Sequence, residues 1–266
     1  MSLETSRVFV RKTGTGPKNL LLFHGFGQDH TALLPVAEAV GDVYTCYLFD
    51  LYYHGQSHWG QDDRPIEKQD WKLYLKGFLN EHQIDSFSVL GFSLGARLAL
   101  ASLEAFPERT EGLFLIAPDG LQESPWYTLA TGSVLTRKVF HAAITRPGIF
   151  FGLADTFHRW GWVDARLHRI ARYYMGNPQK REQVYHAWVA FRRLKSAPRY
   201  LAGLIRRHHI RVVIIVGTRD TLIPAARVAG LVGHLKADEY TLHVLEAAHH
   251  QLLGDELIEA LRAERR

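Results

Sequence analysis

The sequence predicts a doubly wound α/β fold, a mostly parallel central sheet flanked by helices and carrying one helical insertion. Three observations lead there. Short apolar runs recur and are nearly continuous rather than alternating, the pattern of strands covered on both faces. Helix-length stretches lie between them. The alternation then stops between about Leu121 and Ile210, where aromatic and basic residues crowd together and no strong strand run occurs.

Taken in order, the strand runs are Leu20–Phe23, Tyr44–Phe49, Phe87–Leu90, Leu113–Ile116, Val212–Val216 and Leu242–Leu245. Helix-like stretches cover His30–Val40, Asp70–Glu81, Leu94–Ala105, Ala225–His234 and Asp255–Arg262. In the last of these Leu257, Ile258 and Leu261 form one apolar stripe with charges opposite. Within the insertion, Ala142–Leu153 is apolar but broken at Pro147 and Gly148. Gly161–Met175 and Gln179–Leu194 read as helices separated by Gly176-Asn177-Pro178. Residues 1–120 and 211–266 therefore form the core, and 121–210 the insertion.

Composition narrows the class. With 266 residues, 47% hydrophobic and 22% charged, the chain has a core to bury, which excludes collagen-like and disordered architectures. Cys46 stands alone, so there is no internal disulfide and no cysteine metal cluster. The first residues, Met1-Ser2-Leu3-Glu4-Thr5-Ser6-Arg7, lack the apolar core of a secretory signal, and no run reaches the roughly 20 apolar residues of a membrane span. The expectation is a soluble cytoplasmic protein, monomer or homodimer, with no membrane span.

The strongest chemical signal is Phe87-Ser88-Val89-Leu90-Gly91-Phe92-Ser93-Leu94-Gly95, a strand entering Gly-x-Ser-x-Gly and leaving as a helix. Two glycines let strand and helix approach around a strained turn that lifts the Ser93 hydroxyl above the sheet. The helix that follows aims unbonded N–H groups and its positive end at any anion formed there. A second strand ends in His24-Gly25-Phe26-Gly27, whose small residues let backbone N–H groups turn inward. Acyl transfer needs two such donors at the developing oxyanion, and the Phe26 and Leu94 amides are the candidates. His24 reads as a structural turn histidine.

These motifs resemble the α/β-hydrolase fold family. Asp50-Leu51-Tyr52-Tyr53-His54-Gly55-Gln56-Ser57 is similar to the family's Asp-x-x-Gly-x-Gly-x-Ser turn, with Tyr53 in place of its first glycine. The resemblance spans nearly the whole chain and puts the insertion at the family's cap position. It implies a nucleophile–acid–histidine order. Asp220, after Val212–Val216, takes the acid position, with Asp119 as the alternative. His249, preceded by the small Ala248, takes the base position, with His250 as the alternative. A serine at the elbow argues against the aspartate-nucleophile branches of the family. The implied chemistry is hydrolysis of a carboxylic ester or thioester of a small to medium substrate through an acyl-enzyme on Ser93, without cofactor or metal.

The remaining signals are weaker. Neither His54 and His58 nor His208-His209 has metal-ligand context, and Gly14-Thr15-Gly16-Pro17 lacks the ending of a phosphate loop. The net charge of +5 is a difference: residues 121–210 hold 15 Lys and Arg against Glu123, Asp155, Asp164 and Glu182, a net +11 that leaves −6 elsewhere. The insertion also holds Trp126, Trp160, Trp162 and Trp188. This suits an anionic or aromatic substrate or anionic lipid, while Arg166, Arg169, Arg172, Arg192 and Arg193 as solvated helix faces account for the same composition. No nucleic-acid-binding motif accompanies the charge. Arg97, in Ser-Leu-Gly-x-Arg, is similar to the substrate-binding arginine of the pyruvate-eliminating lyase of menaquinone biosynthesis, which makes that lyase an alternative; other serine hydrolases carry the same pattern, and the ordinary reading is Arg97 bonding core loops. A ligand-binding protein without turnover is another alternative.

Overall fold

The structure is a computed structural model that describes residues 6–61, 64–122, 125–161, 172–173 and 175–263. The chain divides into two compact units, one of residues Met1–Gly60, Ile66–Glu123 and Arg193–Arg266, the other of Gln61–Pro65 and Ser124–Arg192.

In the first unit, the strands are β1 (Val10–Thr13), β2 (Lys18–Phe23), β3 (Tyr44–Phe49), β4 (Phe87–Phe92), β5 (Thr110–Ile116), β6 (Arg211–Gly217) and β7 (Tyr240–Leu245). They form one sheet in the order β1-β3-β2-β4-β5-β6-β7. Every pairing is parallel except β1 with β3. All six expected strands are present. β1 is additional: Val10-Arg11-Lys12-Thr13 is short, charged and at the sheet edge, so it carries no apolar run to detect. β7 is the opposite edge and is only partly covered, unlike the buried strands its apolar run suggested.

Side chains alternate across the sheet as the strand period of two demands. On one face Leu20 and Leu22 pack with Val36 of α1 (Leu34–Ala39) and with Leu257 and Leu261 of α10 (Asp255–Arg262). On the other, Phe23 and Phe49 meet Trp71 edge-on, and Phe49 meets Phe78 in the same way, on α2 (Lys68–Glu81), with ring centroids 4.9–6.2 Å apart. Trp71 Nε1 donates to Ser102 Oγ at 2.9 Å, tying α2 to α3 (Gly95–Ala105). The chain runs from β2 outward to β3, then returns to place β4 on the other side of β2. Strand order therefore reverses between β2 and β4, where the carboxyl ends of the strands leave a crevice in folds of this kind.

The second unit is helical: α4 (Pro125–Thr131), α5 (Val134–Thr145), α6 (Pro147–Arg159) and α7 (Pro178–Phe191). The apolar stretch around residue 147 divides between α5 and α6, because Pro147 fits the first turn of a helix but not its interior. Ile144, Met175, Tyr185 and Val189 form its buried cluster, with Phe140 and Phe151 against them. The expected helix over Gly161–Met175 falls mostly outside the described residues, as do Trp162, Arg166 and Arg169. The first unit also takes in residues 193–210, which the sequence reading assigned to the insertion. α8 (Pro198–His208) buries Leu201, Ala202 and Ile205 there, and the short α9 (Ala229–Val232) packs against it.

Candidate active site

Ser93 stands at the β4–α3 junction with φ 51°, a left-handed conformation that few non-glycine residues adopt. Its N–H donates to the Ile116 carbonyl at 2.9 Å. Its own carbonyl accepts from Ala96 at 3.0 Å and from the Asp119 N–H at 3.1 Å. The flanking glycines are required by contact. A Cβ on Gly91 would strike the Ala96 backbone, and one on Gly95 would strike the carbonyl oxygens of Phe23 and His24. The start of α3 is thus pressed against the end of β2, which places Leu94 beside the His24–Gly27 loop. That loop is closed by Gly25 N–H donating to Gln28 Oε1 at 2.9 Å and by the Gln28 N–H on the Gly25 carbonyl, with Phe26 at its tip.

His24 is enclosed below this loop. Its Nε2 accepts from the Leu51 N–H at 3.0 Å, so its proton is on Nδ1, 2.8 Å from the Gly25 carbonyl. Burial, aided by neighbouring His54, pushes its pKa down to about 3. The ring is a structural pin, as the sequence suggested. The following turn is built around Asp50, whose carboxylate accepts from the His30 N–H and His30 Nδ1 at 2.7 and 2.9 Å and from the Gln56 N–H at 2.8 Å. Tyr53 adopts φ 64°, so the position where the resemblance expects glycine has glycine-like backbone and a tyrosine side chain.

Asp220 and His249 are brought together by their backbones. The Thr218 N–H donates to the Leu245 carbonyl at 2.8 Å and the Arg219 N–H to the Ala247 carbonyl at 3.2 Å, binding the exits of β6 and β7 to each other. Asp220 Oδ2 then lies 2.6 Å from His249 Nδ1. Its Oδ1 accepts from the Leu222 and Ile223 N–H groups at 2.9 Å each. Three donors thus fix the carboxylate, and the pairing at Nδ1 leaves Nε2 of the imidazole as the acceptor. The His249 ring lies 4.9 Å from that of Phe92, the residue before Ser93. His250, the alternative, is exposed.

Arg97 and Asp119 also lie near the nucleophile turn, and they bind each other. Arg97 Nε donates to Asp119 Oδ2 at 2.7 Å, and the arginine side chain is 1% exposed. The sequence offers Arg97 as a bond between core loops or, by resemblance, as a contact to a substrate anion, and Asp119 as the alternative acid. A loop bond for Arg97 is legible in the sequence but its partner is not, since 22 residues separate the two and neither belongs to the other's motif. Among the described residues no group of three or more His, Cys, Asp or Glu is arranged to hold a metal ion, and no helix is long and apolar enough to cross a membrane.

A mostly parallel sheet whose reversal point carries a strained serine turn, with an Asp–His pair beyond its last two strands, defines the α/β-hydrolase architecture. The sequence matches the Alpha/beta hydrolase family over residues 20–261, and the chain belongs to that family. Among solved structures it is similar to a meta-cleavage product hydrolase from Pseudomonas fluorescens, with TM-score 0.63 and 17% identity over 98% of this chain and 96% of that one. A thermophilic esterase from Thermogutta terrifontis gives TM-score 0.66 and 18% identity over 98% and 92%. By sequence, it is 24% identical over 230 residues to the dihydrolipoyllysine-residue acetyltransferase component of the acetoin cleaving system of Cupriavidus necator, covering 83% of this chain. It is 26% identical over 110 residues, 40% of this chain, to a probable alcohol acetyltransferase of Wickerhamomyces anomalus. The chain spans 56% and 31% of the lengths of those two relatives.

Proposed function

We propose that this protein is a serine hydrolase that cleaves a carboxylic ester or thioester of a small to medium substrate through an acyl-enzyme on Ser93. The observation that carries the reading is the 2.6 Å contact between His249 Nδ1 and a buried, doubly capped Asp220. That contact leaves Nε2 of the imidazole to take the Ser93 hydroxyl proton as Oγ attacks the carbonyl carbon. The Phe26 and Leu94 N–H groups donate to the resulting oxyanion. His249 then returns the proton to the departing alcohol or thiol, and water attacks the acyl-enzyme by the same route in reverse. Asp220 keeps the imidazole in the required tautomer and balances the imidazolium that forms.

The lyase alternative asked Arg97 to face a substrate anion, and Asp119 supports no such placement because it occupies the guanidinium. A fluorophosphonate probe tests the hydrolase reading. Stoichiometric modification at Ser93 is expected, with loss in Ser93→Ala. A folded protein that stays unmodified and turns over no member of a chain-length series of chromogenic esters is instead a ligand-binding protein on this fold.

A further inference from the structure

The turn that presents Ser93 is held in two left-handed conformations at once. Ser93 has φ 51°, and Ala117, across the β4–β5 boundary, has φ 41°. Non-glycine residues persist in this region only where their surroundings over-determine them. Here the surroundings are few and nameable. The Ser93 N–H is held by the Ile116 carbonyl, the Ala117 N–H by the Ile215 carbonyl, and the Ser93 carbonyl by the Ala96 N–H from the helix and the Asp119 N–H from the loop.

Asp119 is in turn held from one side. Arg97 grips both its carboxylate oxygens, Nε to Oδ2 at 2.7 Å and Nη2 to Oδ1 at 3.3 Å. Oδ1 also accepts from the Gly120 N–H at 2.8 Å. Arg97 rises from the first turn of α3, so a single side chain runs from the helix behind the nucleophile to the loop in front of it. Its Nη1 donates to the Leu194 carbonyl at 3.4 Å, and Gly120, at φ 95°, passes so close that a Cβ would lie 2.9 Å from Arg97 Cγ.

We propose that Arg97 and Asp119 are a positioning pair that fixes the Ser93 turn in its attacking geometry, and that Arg97 does not contact substrate. The proposal rests on the reading of Ser93 as nucleophile. A planar two-pronged guanidinium suits the task, because two parallel bonds set the orientation of the carboxylate as well as its distance. Lysine supplies the charge but not the orientation.

The test compares Arg97→Lys, Arg97→Met, Asp119→Asn and the double variant Arg97→Met/Asp119→Leu with wild type. Each is measured on p-nitrophenyl acetate, on the anionic mono-p-nitrophenyl succinate, and for its rate of Ser93 phosphonylation by a fluorophosphonate. Circular dichroism and Tm identify variants that remain folded. A displaced nucleophile loses rate steeply, so Arg97→Met and Asp119→Asn should each lower kcat and the labelling rate by about 10²-fold, with KM within about twofold. The loss should be the same on both esters, the double variant no worse than the worse single, and Arg97→Lys intermediate. A rise in KM confined to the anionic ester, with Asp119→Asn silent, overturns the proposal in favour of a substrate contact. A lowered Tm with unaltered kcat and labelling overturns it in favour of a purely structural ion pair. Absence of labelling in wild type removes the nucleophile reading itself, and the proposal with it.

Discussion

His24 and His54 are both enclosed almost completely, and each has a ring nitrogen committed to the backbone: His24 to Gly25 and Leu51, His54 to the Tyr52 carbonyl. Burial first, and in His24 the neighbouring His54 second, pushes their pKa values down to about 3 and about 4. In the unfolded chain both bind protons near pH 6.5. Between that value and the folded ones the unfolded state holds more protons, so stability is complete above pH 6.5 and is lost as pH falls through the window. At about 1.4 kcal/mol per unit, His54 alone contributes up to about 3 kcal/mol to the change. Melting curves followed by circular dichroism should show Tm falling from pH 6.5 to 4, and falling less in His54→Phe. Equal slopes in the two proteins would show that His54 does not titrate this way. At the candidate dyad the expectation is sharper. His249→Ala and Asp220→Asn should each lower kcat by about 10³-fold or more, while His250→Ala stays within about twofold of wild type. Steady-state kinetics on a chromogenic ester decides it, and loss of turnover in His250→Ala alone would reassign the base.

Gly95 shows how an element boundary becomes part of the site. Because a Cβ there would collide with the Phe23 and His24 carbonyl oxygens, which are backbone and cannot swing aside, Gly95→Ala should push α3 away from β2. A destabilisation of about 2–4 kcal/mol is expected in urea titrations, with a fall in kcat larger than any rise in KM as Leu94 and Phe26 separate. Full stability in Gly95→Ala would mean that strand and helix are not in close contact. The same kind of contact governs what the sequence could disclose. Gly91, Ser93 and Gly95 are legible because one short segment contains the whole steric requirement, and β2, β4, β5 and β6 because burial on both faces writes a continuous apolar run. Asp220 and His249 are expected from the family resemblance rather than from any local pattern, and what the structure adds is their pairing at 2.6 Å. β1 was not legible, since an antiparallel edge strand of charged residues is defined by its pairing with β3. Nor was the grouping of α8, which has the basic composition of the insertion but buries Leu201 and Ile205 and falls in the first compact unit. The Arg97–Asp119 pair was hidden for the same reason, because it exists only once β4, α3 and β5 are assembled.

Within the first unit, the segments that flank residues 124–192 are joined to each other. The Ser196 N–H donates to the Gly120 carbonyl at 3.2 Å, and Arg97 Nη1 reaches the Leu194 carbonyl, so outgoing and returning segments are joined inside the first unit. Arg227 Nη1 adds a bond to the Gln122 carbonyl at 2.7 Å. The second unit has its own buried cluster and its own internal bonds: Tyr127 Oη to the Trp188 carbonyl at 2.9 Å, and Arg181 to the Ile144 and Met175 carbonyls at 3.0 and 2.9 Å. Part of the basic excess of this segment thus satisfies helix-end carbonyls rather than awaiting a charged partner. A long insertion whose ends already meet costs little closure entropy to remove. Joining Gln122 to Arg193 through a linker of about four glycine and serine residues should therefore leave a chain that unfolds cooperatively, with Tm within roughly 10 °C of the full protein. Ser93 in that chain should still be modified by a fluorophosphonate, because Asp220, His249, Phe26, Leu94 and the Arg97–Asp119 pair all belong to the first unit. Turnover of chromogenic esters by the shortened chain then separates two jobs, with labelling reporting the nucleophile and KM across the ester series reporting what residues 123–192 add to substrate selection. A shortened chain without a cooperative transition would show that the first unit depends on the second for its core, in spite of the closed base.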